Sequence, residues 1–397
     1  MKKFGLIGEK LPHSYSPQIH AKFGDYAYDL CEVSEDGLET LLADETYGGF
    51  NVTIPYKKKV YQICDELSDQ AKAIGSVNTV VRTEEGKLKG YNTDYFGFVY
   101  LLKDAGITVA EKKCLVLGSG GASLTVQTVL RDLGAGEVVV ISRSGEDNYE
   151  NISKHFDGEI IINTTPVGMY PNNGSTPVNL DDFHQCSGVV DLIYNPYRTK
   201  LVLDAMAKSI PTAGGLAMLV AQAKQASELF QGIEIEEELI HDVLDELKRE
   251  MLNIILIGMP GSGKTTVGLD IASNMGRKFV DIDEMIVDYE GGLSIPEIFA
   301  HKGEDHFRRV ETKMLSEACK QSGLVIATGG GIVKKKLNYN IIKQNGVVIW
   351  VKRDLSKLAT EGRPLSLTTP LEQIYEERKA AYSYWSDYFI NNNEERD

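Results

Sequence analysis

The run Gly258-Met259-Pro260-Gly261-Ser262-Gly263-Lys264-Thr265 fits G-x-x-x-x-G-K-[ST] in full. In that pattern backbone amides cradle phosphates, the lysine reaches the β- and γ-phosphates and the threonine holds magnesium. Gly258, Gly261, Ser262, Gly263, Lys264, Thr265 and Thr266 are therefore candidate nucleotide contacts, with Thr265 also a candidate Mg2+ ligand. The chain carries no N-K-x-D guanine motif, so ATP is the expected nucleotide. A second glycine turn, Gly118-Ser119-Gly120-Gly121-Ala122-Ser123, follows the apolar run at 113–117 and precedes a helical pattern through Leu133. Strand, glycine turn and helix in that order hold a dinucleotide pyrophosphate on backbone amides, which makes Gly118, Gly120, Gly121 and Ala122 cofactor candidates. About twenty residues on, an NAD enzyme places an acid on the ribose. This chain has Ser142-Arg143-Ser144 instead, and Arg143 suits a 2′-phosphate, so NADP is favoured over NAD. Glu146 and Asp147 act against that choice, and the plain alternative for Arg143 is a solvated loop residue.

Ahead of this turn stand polar clusters that a bare nucleotide fold does not need: 8–17 (GEKLPHSYSP), 49–57 (GFNVTIPYK), 75–79 (GSVNT) and 90–94 (GYNTD). Each has a local alternative. Ser14 and Ser16 would cap a helix beginning at Pro17, Asp94 would cap a helix running from Tyr95, and Lys57 would lie on the surface beside Lys58 and Lys59.

The elements that must position these residues read as short apolar runs alternating with amphipathic stretches. KFGLIG, GGFNVTIP, KCLVLGSGG, EVVVISR, EIIINTT and GVVDLIY are followed by NIILIGMPG, KFVDID, GLVIATGG and GVVIWV. Such runs, bounded by Gly and Asn with helical patterns between, indicate parallel α/β sheets buried on both faces. The acidic stretch Glu234 to Glu250, with Ile235, Leu239, Val243 and Leu247 at helical spacing, marks the domain boundary near residue 250.

The composition of the 397 residues, 42% hydrophobic and 25% charged, is that of a soluble protein of two or three domains. A formal charge of −15 would repel nucleic acid and anionic membranes, so a phosphate ligand must meet local positive potential. Cys31, Cys64, Cys114, Cys186 and Cys319 form no C-x-x-C pair, which argues against zinc or a disulfide framework and fits a reducing cytoplasm. The N-terminal apolar run breaks at Glu9, too early for a secretion signal, and no apolar stretch has the ~18 residues of a membrane span.

Taken together, the clusters of residues 1 to 249 resemble the shikimate dehydrogenase family. The resemblance implies that Ser14 and Ser16 of H-S-x-S-P bind the substrate carboxylate. It implies that Lys57 of N-V-T-x-P-x-K and Asp94 of N-T-D form the catalytic pair. Thr53, Asn78 and Gln222 match positions that bind ring hydroxyls, and Tyr194 of 191–196 (DLIYNP) matches another substrate contact. The segment 163–169 (NTTPVGM), Gly215 and Met218 match the nicotinamide pocket wall. Hydride transfer to a ketone creates an alkoxide that needs a proton, which an ammonium oriented by a carboxylate can donate. The family's usual Asn-Arg-Thr/Ser appears here as Ser142-Arg143-Ser144, with no basic residue shortly after.

Residues 252 to 390 resemble shikimate kinase. Phe279-Val280-Asp281-Ile282-Asp283 matches its D-x-D, with Asp281 toward magnesium and Asp283 toward substrate hydroxyls. The segment 303–311 (GEDHFRRVE) matches G-E-x-x-F-R-x-x-E, and 328–331 (TGGG) its glycine triplet. Arg308, Gly330 and Arg378 correspond to carboxylate-binding positions, and Arg363 of R-P-L to the lid arginine near the transferred phosphate. The alternatives are a helix cap for Asp281 and Asp283 and a surface ion pair with Glu311 for Arg308. His301 and His306 read as solvated helix residues, and Lys334-Lys335-Lys336 as a solvated face. The lid segment between Trp350 and Arg363 is short and lacks the family's second, adenine-covering arginine, for which Lys357 is the stand-in.

The fold class implied is α/β. A substrate domain (1–95 with 215–249) and a Rossmann-type NADP domain (96–214) precede a P-loop kinase domain (251–397) with a small mobile lid at 353–366. The function implied is reduction of 3-dehydroshikimate to shikimate with NADP(H), then ATP-dependent phosphorylation of shikimate with Mg2+, in aromatic amino acid biosynthesis. Two other readings stand beside it: a non-catalytic nucleotide-binding second half, and a quinate- and NAD-specific first half.

Overall fold

The computed structural model describes residues 2–11, 14–358 and 370–393. The chain divides into two units: Met1–Tyr194 with Asp204–Glu246, and Asn195–Leu203 with Leu247–Asp397. No helix among the described residues is long and apolar enough to cross a membrane.

The first unit holds two sheets. Strands β1 (Lys3–Gly8), β2 (Tyr28–Glu32), β3 (Tyr47–Val52), β4 (Glu66–Leu67), β5 (Thr79–Arg82) and β6 (Leu88–Tyr91) form one, in the order β2-β1-β3-β5-β6-β4. Here the expectation of purely parallel sheets fails: β5 runs antiparallel to both β3 and β6. The reason is local. Residues 83–87 close a hairpin in which Thr83 donates its backbone N–H to Lys87, and Gly86 takes a positive φ of 85° that a side chain disfavours. Ile7, Phe50, Val52, Val60 and Val80 are fully or almost fully buried in the core of this sheet.

The second sheet comprises β7 (Lys113–Leu117), β8 (Glu137–Ile141), β9 (Ile160–Asn163), β10 (Gly188–Asp191) and β11 (Thr212–Gly214), in the order β11-β10-β9-β7-β8 and parallel throughout. Its central strands β7, β9 and β10 read as unbroken apolar runs because both faces are covered. The helices Asp94–Asp104 and Gly121–Asp132 supply Phe98, Leu101, Val126, Val129 and Leu130 to that core. The helix expected over 234–250 begins instead at Leu239. The Glu228 carboxylate accepts the Ile235 N–H at 2.8 Å, which holds the chain before it in a non-helical turn.

The second unit contains β12 (Asn253–Ile257), β13 (Phe279–Asp281), β14 (Val325–Ala327), β15 (Gly346–Lys352) and β16 (Tyr388–Asn391), all parallel, in the order β13-β14-β12-β15-β16. Ile255, Ile326, Val348, Ile298, Met314 and Tyr382 build its core. The helix Ile295–Cys319 starts at a Ser294–Glu297 capping box and breaks at Gly303 (φ 79°, ψ 166°), so the motif that includes Arg308 opens a fresh helical segment. Arg198 fixes the segment Asn195–Leu203 within this unit, its backbone N–H donating to Gln344 O at 2.8 Å and its guanidinium to Lys343 O at 3.0 Å.

Candidate active sites

In the first unit, Lys57 opens the helix Lys57–Ile63 just beyond β3, and Asp94 opens the helix Asp94–Asp104 just beyond β6. Although 37 residues apart in sequence, their Nζ and Oδ2 atoms are 2.6 Å apart, with side chains 28% and 17% exposed. Asp94 is thus an ion-pair partner, and Thr93 holds the cap position without a side-chain cap bond. Nor do Ser14 and Ser16 cap the helix Ser16–Phe23; the Ser14 hydroxyl accepts the Ser16 N–H at 3.2 Å.

A buried polar chain fixes the amides around the pair. Asn78 Oδ1 accepts the Thr93 N–H at 2.7 Å, and the Thr93 hydroxyl reaches Gln222 Oε1 at 3.2 Å. Asn51 donates to Thr79 Oγ1 at 3.0 Å and accepts from the Tyr28 hydroxyl at 2.7 Å. Behind them His20 stacks on Tyr28 at 4.1 Å and lies 2.7 Å from the Tyr26 hydroxyl. Burial holds its imidazole pKa down at about 3, so the ring is neutral.

Ser14, Ser16, Thr53, Lys57, Asn78, Asp94, Tyr194 and Gln222 line a single cavity of about 380 Å³ with Ala122, Gly215 and Met218. Substrate and cofactor candidates therefore share one space. Burial pushes the Tyr194 phenol pKa up, and Tyr15 stands edge-on to its ring. Gly215 must be glycine: a Cβ there would lie 2.0 Å from Leu192 O. Sequence reasoning missed Lys10 and Asn51 in this lining; Asn51 stood inside the N-V-T motif but was read for its threonine.

Gly118, Gly120, Gly121 and Arg143 lie outside that lining. Gly118 has φ 106° and a Cβ would meet Thr164 Oγ1 at 2.8 Å, whereas at Gly120 and Gly121 a Cβ would meet nothing within 4 Å. The backbone at the start of the helix Gly121–Asp132 is thus open to an approaching pyrophosphate, which fits a dinucleotide. Arg143 is exposed, and Asp147 is engaged by His155 at 2.9 Å.

In the second unit, Gly258 (φ 146°) and Gly263 (φ 88°) bend the chain between β12 and the helix Lys264–Met275. Lys264 folds back on the loop, donating to Gly258 O at 3.1 Å and Met259 O at 2.9 Å. Thr265 Oγ1 donates to Asp281 Oδ2 at 2.9 Å, and the other Asp281 oxygen accepts the Asp283 N–H at 2.9 Å. The cap and the hydroxyl–carboxylate pairing therefore coexist. Two such oxygens suit Mg2+, which keeps most of its waters and borrows phosphate oxygens.

Gly261, Gly263, Lys264, Thr265, Thr266, Asp281, Asp283, Arg308, Gly330 and Arg378 line a cavity of about 480 Å³; Gly258 and Ser262 do not. Ser262 Oγ is buried with no hydrogen-bond partner among the described residues. The expected Arg308–Glu311 pair forms at 2.8 Å, but it is buried rather than on the surface. Burial raises the Glu311 carboxyl pKa against the pull of Arg308. Arg378 donates to Gly330 O at 2.9 Å, and the Tyr382 hydroxyl donates to the same oxygen. His306 is not simply solvated, since its Nε2 meets Glu290 at 2.7 Å, and Lys334 pairs with Glu304 at 2.7 Å. Arg363 lies outside the described residues, as does most of the expected lid. Lys357 donates to Asn393 O at 2.8 Å and is not part of the cavity lining, whereas Arg353, which carries no motif signal, is.

Comparison with known proteins follows the same division. The shikimate dehydrogenase (NADP(+)) of Clostridium beijerinckii is 40% identical over 270 residues, covering 63% of this chain and 99% of that protein. The chain belongs to the shikimate dehydrogenase family. That family's substrate binding domain matches residues 6–80, and a shikimate kinase domain matches residues 260–397. A second shikimate dehydrogenase (NADP(+)), from Methanopyrus kandleri, is 36% identical over 277 residues, or 62% of this chain and 95% of that one. Among solved structures, a chorismate mutase/shikimate 5-dehydrogenase fusion protein from Clostridium acetobutylicum is 37% identical with a TM-score of 0.60, covering 62% of this chain and 97% of its own. The shikimate 5-dehydrogenase of Thermus thermophilus, in complex with NADP(H) and shikimate, is 30% identical with a TM-score of 0.57 over 62% of this chain and 99% of its own. The shikimate dehydrogenase part of this chain thus carries a Rossmann-type sheet, and its kinase part a P-loop sheet.

Proposed function

We propose that the chain is a bifunctional enzyme that reduces 3-dehydroshikimate to shikimate and then phosphorylates the shikimate 3-hydroxyl. The observation that carries this reading is the pairing of two cavities whose candidate chemistries share one metabolite, the first ending in Lys57–Asp94 and the second in Lys264, Asp283, Arg308 and Arg378. The assignment of the domains is part of the proposal: 1–95 with 215–249 for substrate, 96–214 for NADP, and 251–397 for the kinase.

When bound, NADPH supplies the hydride, ATP the phosphoryl group and Mg2+ compensation for phosphate charge. In the first site Lys57 donates a proton to the oxygen that becomes alkoxide, and Asp94, 2.6 Å away, keeps the ammonium aimed. Ser14 and Ser16 take the carboxylate, while Thr53, Asn78 and Gln222 read ring hydroxyls that a mismatched substrate would leave unpaired. The open backbone at Gly120 and Gly121 would receive the pyrophosphate, and Arg143 the 2′-phosphate. In the second site Asp283 orients the attacking hydroxyl and accepts its proton, Arg308 and Arg378 hold the carboxylate, and Lys264 with Arg363 offsets charge on the transferring group.

The test is mass spectrometry of products formed from 3-dehydroshikimate, NADPH and MgATP, with a parallel sample lacking ATP. Shikimate 3-phosphate with ATP and shikimate without it is the expected result. Shikimate alone in both samples restricts the chemistry to the dehydrogenase, and substituting quinate and NAD+ in the reverse direction tests substrate and cofactor choice.

A further inference from the structure

Strand β15 ends at Lys352, and the side chains of Lys352 and Arg353 part company. Lys352 lies over the rings of Trp350 and Phe389, at 4.4 and 3.8 Å from their centroids. Arg353 instead lines the phosphate-loop cavity with Gly263, Lys264 and Thr265. Its Nη1 stands 4.0 Å from where a Cβ on Gly263 would lie, and its Nε is buried with no hydrogen-bond partner among the described residues. The adjacent acid is committed elsewhere: Asp354 accepts from Asn393 Nδ2 at 3.0 Å and its N–H donates to Asn393 Oδ1 at 2.7 Å. Among the described residues no carboxylate pairs with the Arg353 guanidinium.

Gly263 immediately precedes the helix Lys264–Met275, whose first backbone amides are already an anion site. Asn392 donates to Ser262 O at 2.8 Å, pinning that loop beside Arg353. A guanidinium offers a flat fork of donors matched to phosphate oxygens, and in a chain of formal charge −15 an unpaired one beside such a loop is a concentrated source of positive potential. We propose that Arg353 is a polyphosphate-binding residue, reaching the nucleotide's phosphates from the end of β15. The proposal rests on the kinase reading only for the identity of the nucleotide.

The experiment uses the full chain with Arg353→Ala and Arg353→Lys, and reads calorimetric affinities for MgADP and for inorganic tripolyphosphate, alongside KM for MgATP and for shikimate. Arg353→Ala is expected to weaken both MgADP and tripolyphosphate by about 10- to 100-fold. Arg353→Lys recovers part of that loss, KM for shikimate in the phosphorylation stays within about twofold, and an unchanged urea midpoint followed by the fluorescence of Trp350 and Trp385 reports an intact second unit. Loss of MgADP binding with tripolyphosphate unaffected means that the arginine contacts the base, which overturns the proposal; so does unchanged binding of both, or absence of tripolyphosphate binding by the parent chain. A parent chain that binds MgADP but does not phosphorylate shikimate overturns the bifunctional reading instead, and the Arg353 comparison still stands or falls by itself.

Discussion

Lys57 and Lys264 are both lysines at the first turn of a helix that follows a strand, and they are held in opposite ways. Lys57 faces a carboxylate at 2.6 Å, an arrangement ready for proton donation before any ligand arrives. Lys264 faces two carbonyls of its own loop, and two of the three arginines that line its cavity are similarly engaged, Arg308 with Glu311 and Arg378 with Gly330 O, while Arg353 is the exception. The first site is assembled by fixed sheet ends and a buried amide network. In the second, Lys264, Arg308 and Arg378 rest on the protein's own acceptors. Under the proposed function, the contrast separates a site that positions a proton from one that neutralises arriving charge.

Removing each lysine in turn separates the two sites most strongly. Lys57→Met is expected to slow shikimate-dependent NADP+ reduction by about a thousandfold while shikimate phosphorylation is unchanged, and Lys264→Met to do the reverse. Absorbance at the reduced-nicotinamide band and product mass spectrometry read the two; a loss of both activities in either variant dissolves the distinction.

A buried pair losing one partner is the next largest effect. Arg308→Leu leaves Glu311 buried and without its 2.8 Å partner, so the second unit is expected to lose about 3 kcal/mol of stability. Both tryptophans, Trp350 and Trp385, lie in that unit, so urea unfolding followed by tryptophan fluorescence reports it selectively. An unchanged midpoint would mean that Glu311 is held by something other than Arg308.

Asp94→Asn keeps the shape of the first site but removes the charge facing Lys57. Turnover is expected to fall by about a hundredfold with KM for shikimate changed by less than about threefold, the split that marks an orienting group rather than a substrate clamp. A KM effect equal to the turnover effect would move Asp94 into substrate binding.

The smallest effect is on pH dependence. His20 has a folded pKa of about 3, below its unfolded value of 6.5, so the unfolded state takes up a proton first as pH falls. Its contribution is therefore fully present above pH 6.5 and is lost at up to about 1.4 kcal/mol per pH unit between there and pH 3. Near-UV circular dichroism of acid unfolding should show a flatter profile for His20→Gln than for the parent chain. Identical slopes would show that the ring is not buried neutral against Tyr28.

Legibility in the sequence followed the range of the interactions. The phosphate loop was readable because its backbone turns at Gly258 and Gly263 are set by the residues themselves, and the apolar runs at β7, β9, β10 and β12 because double burial leaves an unbroken hydrophobic signal. The hairpin β5–β6 was not readable, since its four-residue strands are only partly buried, and β16 was hidden by the exposed Tyr388 and Phe389. The break at Gly303 passed unnoticed because the flanking segments both carry helical spacing.

Which chemistry each half has the residues for is written in local sequence, because glycines, lysines and carboxylates at fixed spacing state their possible partners. Which of them meet was decided only by the tertiary structure. Lys57 and Asp94 are joined by sheet order, Thr93 links Asn78 to Gln222 across more than a hundred residues, and Arg353 reaches Gly263 because β15 lies beside β12. Contacts of a few ångströms between groups distant in the chain depend on how strands are paired, and no local pattern encodes that pairing.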